Sequence, residues 1–268
     1  MKLRDTLWIW GQDPGSHHHT HDGNIWNLPG ENRMTPVEGC EYLGISNCFR
    51  VVMGGNPVPP FDDEATALDG LDHVVWSLIG DSGSDRNDDE TDLEEIIRIA
   101  GLHPNITGGI MDDFMNPKRM KIFTPDRLAS FRDRLHTALG DRELSFWNVL
   151  YSHELDEKIV PYLEPLDKIT LWVWNGKDLP ALEEHYARLR ELAGPEKSIY
   201  AGCYLWDYGG AAPMPMDWMQ YQLETYLQWF HDGKIDGIIF CSNTICDIGL
   251  ETAEYTRDWI TAHRDEER

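Results

Sequence analysis

Residues 106–113 read ITGGIMDD, a short apolar run that ends in two adjacent carboxylates. Six apolar, β-branched or glycine positions of this kind predict a buried strand. A helical pattern follows, because Thr124-Pro125 supplies a capping hydroxyl and a first-turn proline before Leu128, Phe131 and Leu135. The segment therefore predicts one strand and one helix, with acidic side chains at the point where the strand ends.

The same unit recurs along the whole chain. Eight strand-like runs occupy residues 6–10, 48–53, 73–79, 106–111, 144–151, 169–174, 198–205 and 237–241. Helical patterns separate them, and one begins with the capping box Thr35-Pro36-Val37-Glu38. The units after the second and fifth runs allow only short helices. Alternation of this kind is typical of α/β proteins with a parallel sheet.

Eight such units in 268 residues favour a closed (β/α)8 TIM barrel that forms a single domain over residues 1–268. An open doubly wound sheet would normally carry a glycine-rich phosphate turn after its first strand. Residues 11–15 read GQDPG and do not match that turn. They instead open a long first βα loop, at about residues 12–34.

Composition restricts the possible partners. The chain has 47 acidic and 23 basic residues, a formal charge of −24, which argues against nucleic-acid and anionic-membrane partners. No apolar run is long enough to span a membrane, the start does not match a secretory signal, and the five scattered cysteines form no CxxC pair. We expect a soluble, cytoplasmic protein without a cofactor or a resident metal. No feature of the sequence specifies an oligomeric state.

Carboxylates follow several of the predicted strands. In a barrel of this kind the reactive groups lie at the carboxyl ends of the strands. Asp112 and Asp113 follow the fourth run, and alternation along a strand predicts that one of them faces the barrel axis, for which Asp113 is the choice. Glu154 follows the fifth run. Asp207 follows the seventh between two aromatic residues, an environment that suits a general acid.

Aromatic and polar residues accompany these acids. Sugar rings have apolar faces that stack on indole rings, and their hydroxyl groups need hydrogen-bond partners. Trp8 and Trp172 are assigned to packing, because they lie deeper in their strands than the site candidates do. The histidine-rich stretch at residues 17–21 could hold zinc, but without a helical frame it is better read as a rim that binds a polar substrate. The substrate-binding candidates are Trp10, His19, His21, Trp26, Asp81, His153, Trp174, Asn175, Lys177, Trp206, Tyr208 and Asn243.

This combination of acids and tryptophans resembles a glycoside-hydrolase-type (β/α)8 barrel, although it matches no specific family. Many such barrels carry Asn-Glu after the fourth strand, where this chain has Asp112-Asp113. The resemblance implies that paired carboxylates cleave the glycosidic bond of a small saccharide or glycoside. Asp113 would act as nucleophile or base, and Glu154 or Asp207 as acid. Hydroxyl groups would be held by His153, Asn148, Asn175 and Asn243.

Two alternatives remain open at this stage. The first is a metal-dependent sugar isomerase, epimerase or lyase, with a divalent ion among Asp113, His153, Glu154, Asp207 and Asp247. The second is a carbohydrate binder without catalysis, in which the tryptophans matter and the aspartates do not. Metal content separates the first alternative from a hydrolase, and ligand binding that survives replacement of Asp113 would favour the second.

Overall fold

A computed structural model describes residues 1–82 and 90–268 of the chain. In the sequence the third strand-like run is followed by the polar stretch GDSGSDRN at residues 80–87. Residues 83–87 of this stretch, Arg86 among them, lie outside the described residues. Eight parallel strands close a barrel in which each strand pairs with the barrel strands before and after it in the chain, and the last pairs with the first. The prediction of a (β/α)8 barrel is therefore confirmed.

The barrel strands agree closely with the predicted runs, and three of them have the predicted bounds. They are β1 (Leu7–Gly11), β2 (Asn47–Arg50), β3 (His73–Ile79), β4 (Ile106–Met111), β5 (Ser145–Tyr151), β6 (Lys168–Trp172), β7 (Ser198–Tyr204) and β10 (Gly237–Cys241). A small antiparallel pair, β8 (Trp206–Asp207) with β9 (Ala212–Pro213), forms the loop after β7. The second and sixth runs end earlier than predicted, because their last residues already belong to loops.

The helices surround the barrel between successive strands. They are α1 (Pro36–Leu43), α2 (Asp62–Ala67), α3 (Thr91–Ala100), α4 (Pro117–Ile122), α5 (Pro125–Thr137), α6 (Val160–Leu163), α7 (Leu182–Ala193), α8 (Met216–His231) and α9 (Glu251–His263). The predicted capping box is present at α1, since Thr35 Oγ1 accepts from the Glu38 N–H over 3.3 Å and Glu38 Oε2 accepts from the Thr35 N–H over 2.8 Å. The helices after β2 and β5 are short, as expected.

Aromatic side chains fill the barrel interior below the site. Trp147 packs on Tyr200 and Phe49, with ring centroids 4.5 Å and 5.1 Å apart. Trp172 lies above them and approaches β7 so closely that a Cβ built on Gly202 would meet its indole at 2.0 Å. Only glycine leaves room for this ring, so Gly202 determines where the Trp172 indole lies in the barrel.

Two further properties follow from the described residues. No described helix combines the length and the apolar character that crossing a bilayer requires. The cysteines Cys40, Cys48, Cys203, Cys241 and Cys246 are all buried and free. Their thiols therefore contribute to packing, which is how free cysteine usually behaves in a protein interior.

Candidate active site

A cavity of about 830 Å³ opens at the carboxyl ends of the strands. Three of the predicted catalytic residues line it, namely Asp112, Asp113 and Glu154. The predicted substrate-binding residues that line it are Trp10, His19, His21, Trp26, Asp81, His153, Trp174 and Tyr208. The structure therefore brings most of the candidates to one concave surface, which is the usual form of a small-molecule site.

Asp112 and Asp113 both line this cavity, although strict alternation would turn one of them away. The strand β4 ends at Met111, and Asp113 has a φ of 44°. This left-handed backbone, which aspartate tolerates better than most residues, turns the second carboxylate towards the cavity as well. Asp113 Oδ1 accepts from the Tyr151 hydroxyl over 2.7 Å, and Oδ2 accepts from the Ser82 N–H over 2.9 Å. Two donors thus fix the orientation of this carboxylate.

Asp112 is the more deeply buried member of the pair. Its side chain is 6% exposed, and Oδ1 accepts from the Asp113 N–H over 2.9 Å. Burial raises its pKa well above the usual range, and the charges of Asp113 and Asp81 add to this. The nearby Arg119 guanidinium opposes the shift. The charged form of Asp112 is therefore disfavoured, and its side chain supports the backbone of Asp113 through this hydrogen bond.

Arg119 connects the ends of β3 and β4 from below. Its guanidinium donates to the carbonyl oxygens of Gly80 over 2.6 Å and of Asp112 over 2.8 Å. Arg119 belongs to α4 and is 3% exposed. It thus holds the two loops in register, so that Asp81 and Asp112 face the cavity together.

Glu154 lies at the end of the short 3-10 turn Ser152–Glu154 that follows β5. Its Oε2 accepts from the Tyr151 N–H over 2.9 Å. Burial raises its pKa to about 7, with a smaller contribution from the charge of Asp113; the Tyr151 N–H and Lys158 act in the opposite direction. A carboxyl group with this pKa is partly protonated near neutral pH, which is the property a general acid needs.

One wall of the cavity is an aromatic cluster, which we define as His17, Trp26, Trp174 and Tyr208. The ring centroids of Trp26 and Tyr208 are 5.2 Å apart, and those of Trp174 and Tyr208 are 5.7 Å apart and stacked. His17 Nδ1 is 2.7 Å from the Tyr208 hydroxyl. Burial, with the help of neighbouring His18, lowers the pKa of His17 to about 3. The imidazole is therefore neutral at ordinary pH and adds polarity without charge.

Five predicted site residues do not line this cavity: Asp207, Asn175, Lys177, Trp206 and Asn243. Asp207 Oδ1 accepts from the backbone N–H groups of Gly176 and Gly210, each over 2.9 Å. The Trp206 indole N–H donates to the Trp26 carbonyl over 3.0 Å. These contacts join neighbouring loops, so Asp207 and Trp206 shape the cavity wall without facing the interior.

Asn243 and Asn148 are both completely buried away from the cavity. The Asn243 amide donates to the Gln12 carbonyl over 3.0 Å and accepts from the Gln12 N–H over 2.8 Å. It therefore anchors the first loop. Asn148 lies between Trp147 and Val149 on β5, and since Val149 lines the cavity, alternation places Asn148 on the outer face of the strand.

Sequence reasoning missed several lining residues, chiefly Gln12, His17, Tyr151 and Trp172. Tyr151 could have been found, because alternation from Val149 along β5 predicts that it faces the same side. Trp172 had been assigned to packing alone, and it does pack, but its ring also forms part of the cavity floor. Gln12 carries no signal of its own, and His17 is marked only as a member of the histidine-rich stretch at residues 17–21, since the orientation of both side chains depends on how the first loop folds back.

The histidine-rich stretch at residues 17–21 carries side chains of a type that zinc accepts. Across residues 1–82 and 90–268, no group of three or more His, Cys, Asp or Glu side chains is arranged to hold a metal ion. His19 and His21 reach the cavity rim as exposed side chains. The loop thus contributes polar groups to the rim of the cavity.

Comparison with known proteins extends the description of the fold. No protein-family model matches the sequence, and no curated protein is similar enough to count as a match. Among solved structures, the chain is similar to a chitinase from Chromobacterium violaceum (TM-score 0.57, 8% identity, covering 97% of this chain and 99% of that one).

Two further similarities come from eukaryotic proteins. A family 18 chitinase from Crocus vernus aligns with a TM-score of 0.57 at 12% identity, covering 95% of this chain and 99% of that one. An endo-β-N-acetylglucosaminidase from Cordyceps militaris aligns with a TM-score of 0.53 at 13% identity, covering 98% and 91%. Identities at this level show a shared barrel fold, and the activity has to be argued from the site.

Proposed function

We propose that this protein hydrolyses glycosidic bonds in the cavity at the carboxyl ends of its strands. One observation carries the proposal: Tyr151 holds two carboxyl groups, because its hydroxyl donates to Asp113 and its backbone N–H donates to Glu154. Glycoside hydrolysis needs one carboxyl group that protonates the leaving oxygen and one that attacks the sugar or activates water.

The two carboxyl groups have environments that suit these different tasks. Glu154, with its pKa raised to about 7, is the proposed acid and gives its proton to the departing glycosidic oxygen. Asp113 receives two hydrogen bonds and is the proposed nucleophile or base. Water supplies the hydroxyl of the new hemiacetal, and its remaining proton returns to the carboxylate pair. Asp207 is replaced as acid candidate, because its carboxylate binds two loop N–H groups and does not line the cavity.

The walls of the cavity suit a sugar. The indoles of Trp26 and Trp174 belong to the aromatic cluster, and Trp10 and Trp172 contribute further ring surface. Such rings can stack on the apolar face of a pyranose while the rim histidines His19 and His21 meet its hydroxyl groups. The similarity of the fold to chitinases and to an endo-β-N-acetylglucosaminidase supports a carbohydrate substrate.

A substrate screen tests the proposal. The protein would be incubated with 4-nitrophenyl glycosides of common pyranoses and with oligosaccharides of N-acetylglucosamine, glucose and mannose. Release of 4-nitrophenol or of new reducing ends is the expected result, and treatment with a chelator should leave the rate unchanged.

The other outcomes identify the alternatives. Cleavage that disappears with a chelator and returns with a divalent metal would contradict the proposed carboxylate mechanism and support a metal-dependent lyase. Saccharide binding without any bond cleavage would support a carbohydrate binder. If the protein is active, the anomer that forms first indicates the distance between the two catalytic carboxyl groups. Retention corresponds to about 5–5.5 Å and inversion to about 6.5–9.5 Å.

A further inference from the structure

The loop after β1 carries polar side-chain atoms that lack a hydrogen-bond partner among the described residues. The Gln12 amide oxygen and the Ser16 hydroxyl are enclosed atoms of this kind. Gln12 is only 2% exposed, and both residues line the cavity. Buried polar groups are almost always paired, since an unpaired one is costly. Both atoms are closed to water in the free protein, but both residues line the cavity, so a ligand can supply the missing partners once the side chains rotate towards it.

His17 adds a third polar group to this wall. Its Nδ1 is paired with the Tyr208 hydroxyl at 2.7 Å, and no hydrogen bond to Nε2 is present within the described part of the chain. The ring is 4% exposed and lines the cavity. A neutral imidazole fixed at one nitrogen can donate or accept one hydrogen bond at the other.

The barrel order places this loop opposite the carboxyl groups. Four strand steps separate β1 from β5 in a closed sheet of eight, so the two strands lie on opposite sides of the barrel. Tyr151 and Glu154 follow β5, whereas Gln12 follows β1. A sugar bound between them would contact the acids on one side and the first loop on the other.

We propose that Gln12, Ser16 and His17 form a subsite that binds the hydroxyl groups of an uncharged sugar ring. The inference rests on the proposed function, because it assigns a role within the same cavity. All three groups are neutral donors or acceptors, which match hydroxyl groups and leave a charged substituent without a counter-charge. Trp26, whose ring centroid is 5.1 Å from that of His17, supplies an adjacent aromatic surface for the same ring.

The subsite is held in position before a ligand binds. The Asn243 side chain accepts from the Gln12 N–H over 2.8 Å and donates to the Gln12 carbonyl over 3.0 Å, and it thereby fixes the backbone of Gln12. The Gly15 N–H donates to Asn32 Oδ1 over 2.7 Å, and Gly15 has a φ of 74° that glycine adopts without strain. A fixed loop loses little entropy on binding, so its unpaired groups contribute directly to affinity.

This reasoning predicts opposite effects on stability and on binding. Gln12→Met keeps the size of the side chain and removes the amide, so it should raise the unfolding midpoint and weaken sugar binding roughly 3- to 10-fold. The matched control is Gln222→Met. Gln222 is 1% exposed and its amide is paired with the Tyr204 carbonyl over 3.4 Å, away from the cavity. That variant should lower the midpoint and leave binding unchanged.

The experiment measures thermal unfolding and quenching of tryptophan fluorescence by tri-N-acetylchitotriose, cellotriose and mannotriose. Ser16→Ala is tested in parallel, so that a result is obtained even if Gln12→Met fails to fold. For Ser16→Ala we likewise expect a higher unfolding midpoint and weaker sugar binding. The inference is overturned if no probe binds the unmodified chain, if binding is unchanged in both variants, or if both lose stability as Gln222→Met does.

The results also separate this inference from the proposed activity. Binding that weakens in Gln12→Met, in a protein that cleaves none of the probes, would support the subsite and contradict the hydrolase. Cleavage with an unchanged KM in Gln12→Met and Ser16→Ala would support the hydrolase and overturn the subsite.

Discussion

The Tyr151 hydroxyl donates a hydrogen bond to Asp113 Oδ1 over 2.7 Å. Tyr151 is the last residue of β5, and Asp113 follows β4, so the bond crosses between neighbouring strands at the cavity floor. Burial raises the pKa of Tyr151 well above its usual range, and the negative charge of Asp113 adds to this. The phenol therefore remains protonated and acts as a permanent donor to the carboxylate.

Removal of this donor should impair the chemical step. Tyr151→Phe deletes one hydrogen bond to a charged group, an interaction of about 1.5–3 kcal/mol, and should lower kcat/KM by about 10- to 150-fold. The loss should fall mainly on kcat, measured by steady-state kinetics on the best substrate of the screen. Tyr162→Phe is the control, because its hydroxyl donates to the Met120 carbonyl outside the cavity. Equal rates in the two variants would contradict the assigned role of Tyr151.

Glu154 predicts a specific dependence of activity on pH. As the proposed acid it must be protonated, so kcat/KM should fall as the pH rises through about 7. Glu154→Gln should remove this limb of the profile, and substrates with poor leaving groups should suffer most. Asp207→Asn should keep the limb, since Asp207 binds the N–H groups of Gly176 and Gly210. If the fall in kcat/KM at high pH disappears only in Asp207→Asn, Asp207 and not Glu154 would be the acid.

The same pKa shift predicts a pH-dependent effect on stability. The pKa of Glu154 is raised from 4.5 to about 7, so the folded state disfavours its charge. The cost is absent below pH 4.5, grows between pH 4.5 and 7, and is complete above pH 7. Glu154→Gln should therefore stabilise the fold at pH 8 by roughly 1–3 kcal/mol, and hardly at all at pH 4.

Urea unfolding at the two pH values measures this difference. The control is Glu157→Gln, because Glu157 is an exposed residue of the following turn. A Glu154→Gln stabilisation that is the same at pH 4 and pH 8 would show that burial does not shift the titration of this carboxyl group.

The position of Trp172 at the cavity floor predicts an effect of Gly202. A methyl group at Gly202 would meet the Trp172 indole at 2.0 Å, and a buried ring of this size has no room to move. Gly202→Ala should cost about 1–3 kcal/mol of unfolding free energy and also weaken saccharide binding. Gly70→Ala is the control, since a Cβ there meets nothing within 4 Å. A stable Gly202→Ala variant with normal binding would contradict this packing argument.

The sequence predicted the barrel well because strand and helix patterns are local. β3, β4 and β10 have the predicted bounds, and Asp112, Asp113 and Glu154 follow strands whose ends were visible in the chain. Asp207 also follows a strand and therefore has the same local pattern. In the structure it belongs to the small β8–β9 hairpin, and its carboxylate accepts a hydrogen bond from the Gly176 N–H of a neighbouring loop. Long-range contacts of this kind have no local signature.

The first loop shows the same limit for binding groups. The sequence pointed to His19 and His21, yet His17 is the histidine buried against Tyr208, a contact between residues 191 positions apart. Gln12 was assigned no role, and only the backbone contacts with Asn243 reveal that its side chain is held beside the cavity. Such positions depend on how the first loop folds back over the closed barrel, for which composition and periodicity give no signal.

The most direct test of the proposed activity compares glycoside cleavage by the unmodified protein and by Asp113→Asn. Asparagine tolerates the φ of 44° at this position and retains the size of the side chain, so the backbone should be preserved. With equal unfolding midpoints, we expect Asp113→Asn to lose at least about 1,000-fold in kcat while saccharide binding persists. Cleavage at the unmodified rate by Asp113→Asn would contradict the proposed mechanism.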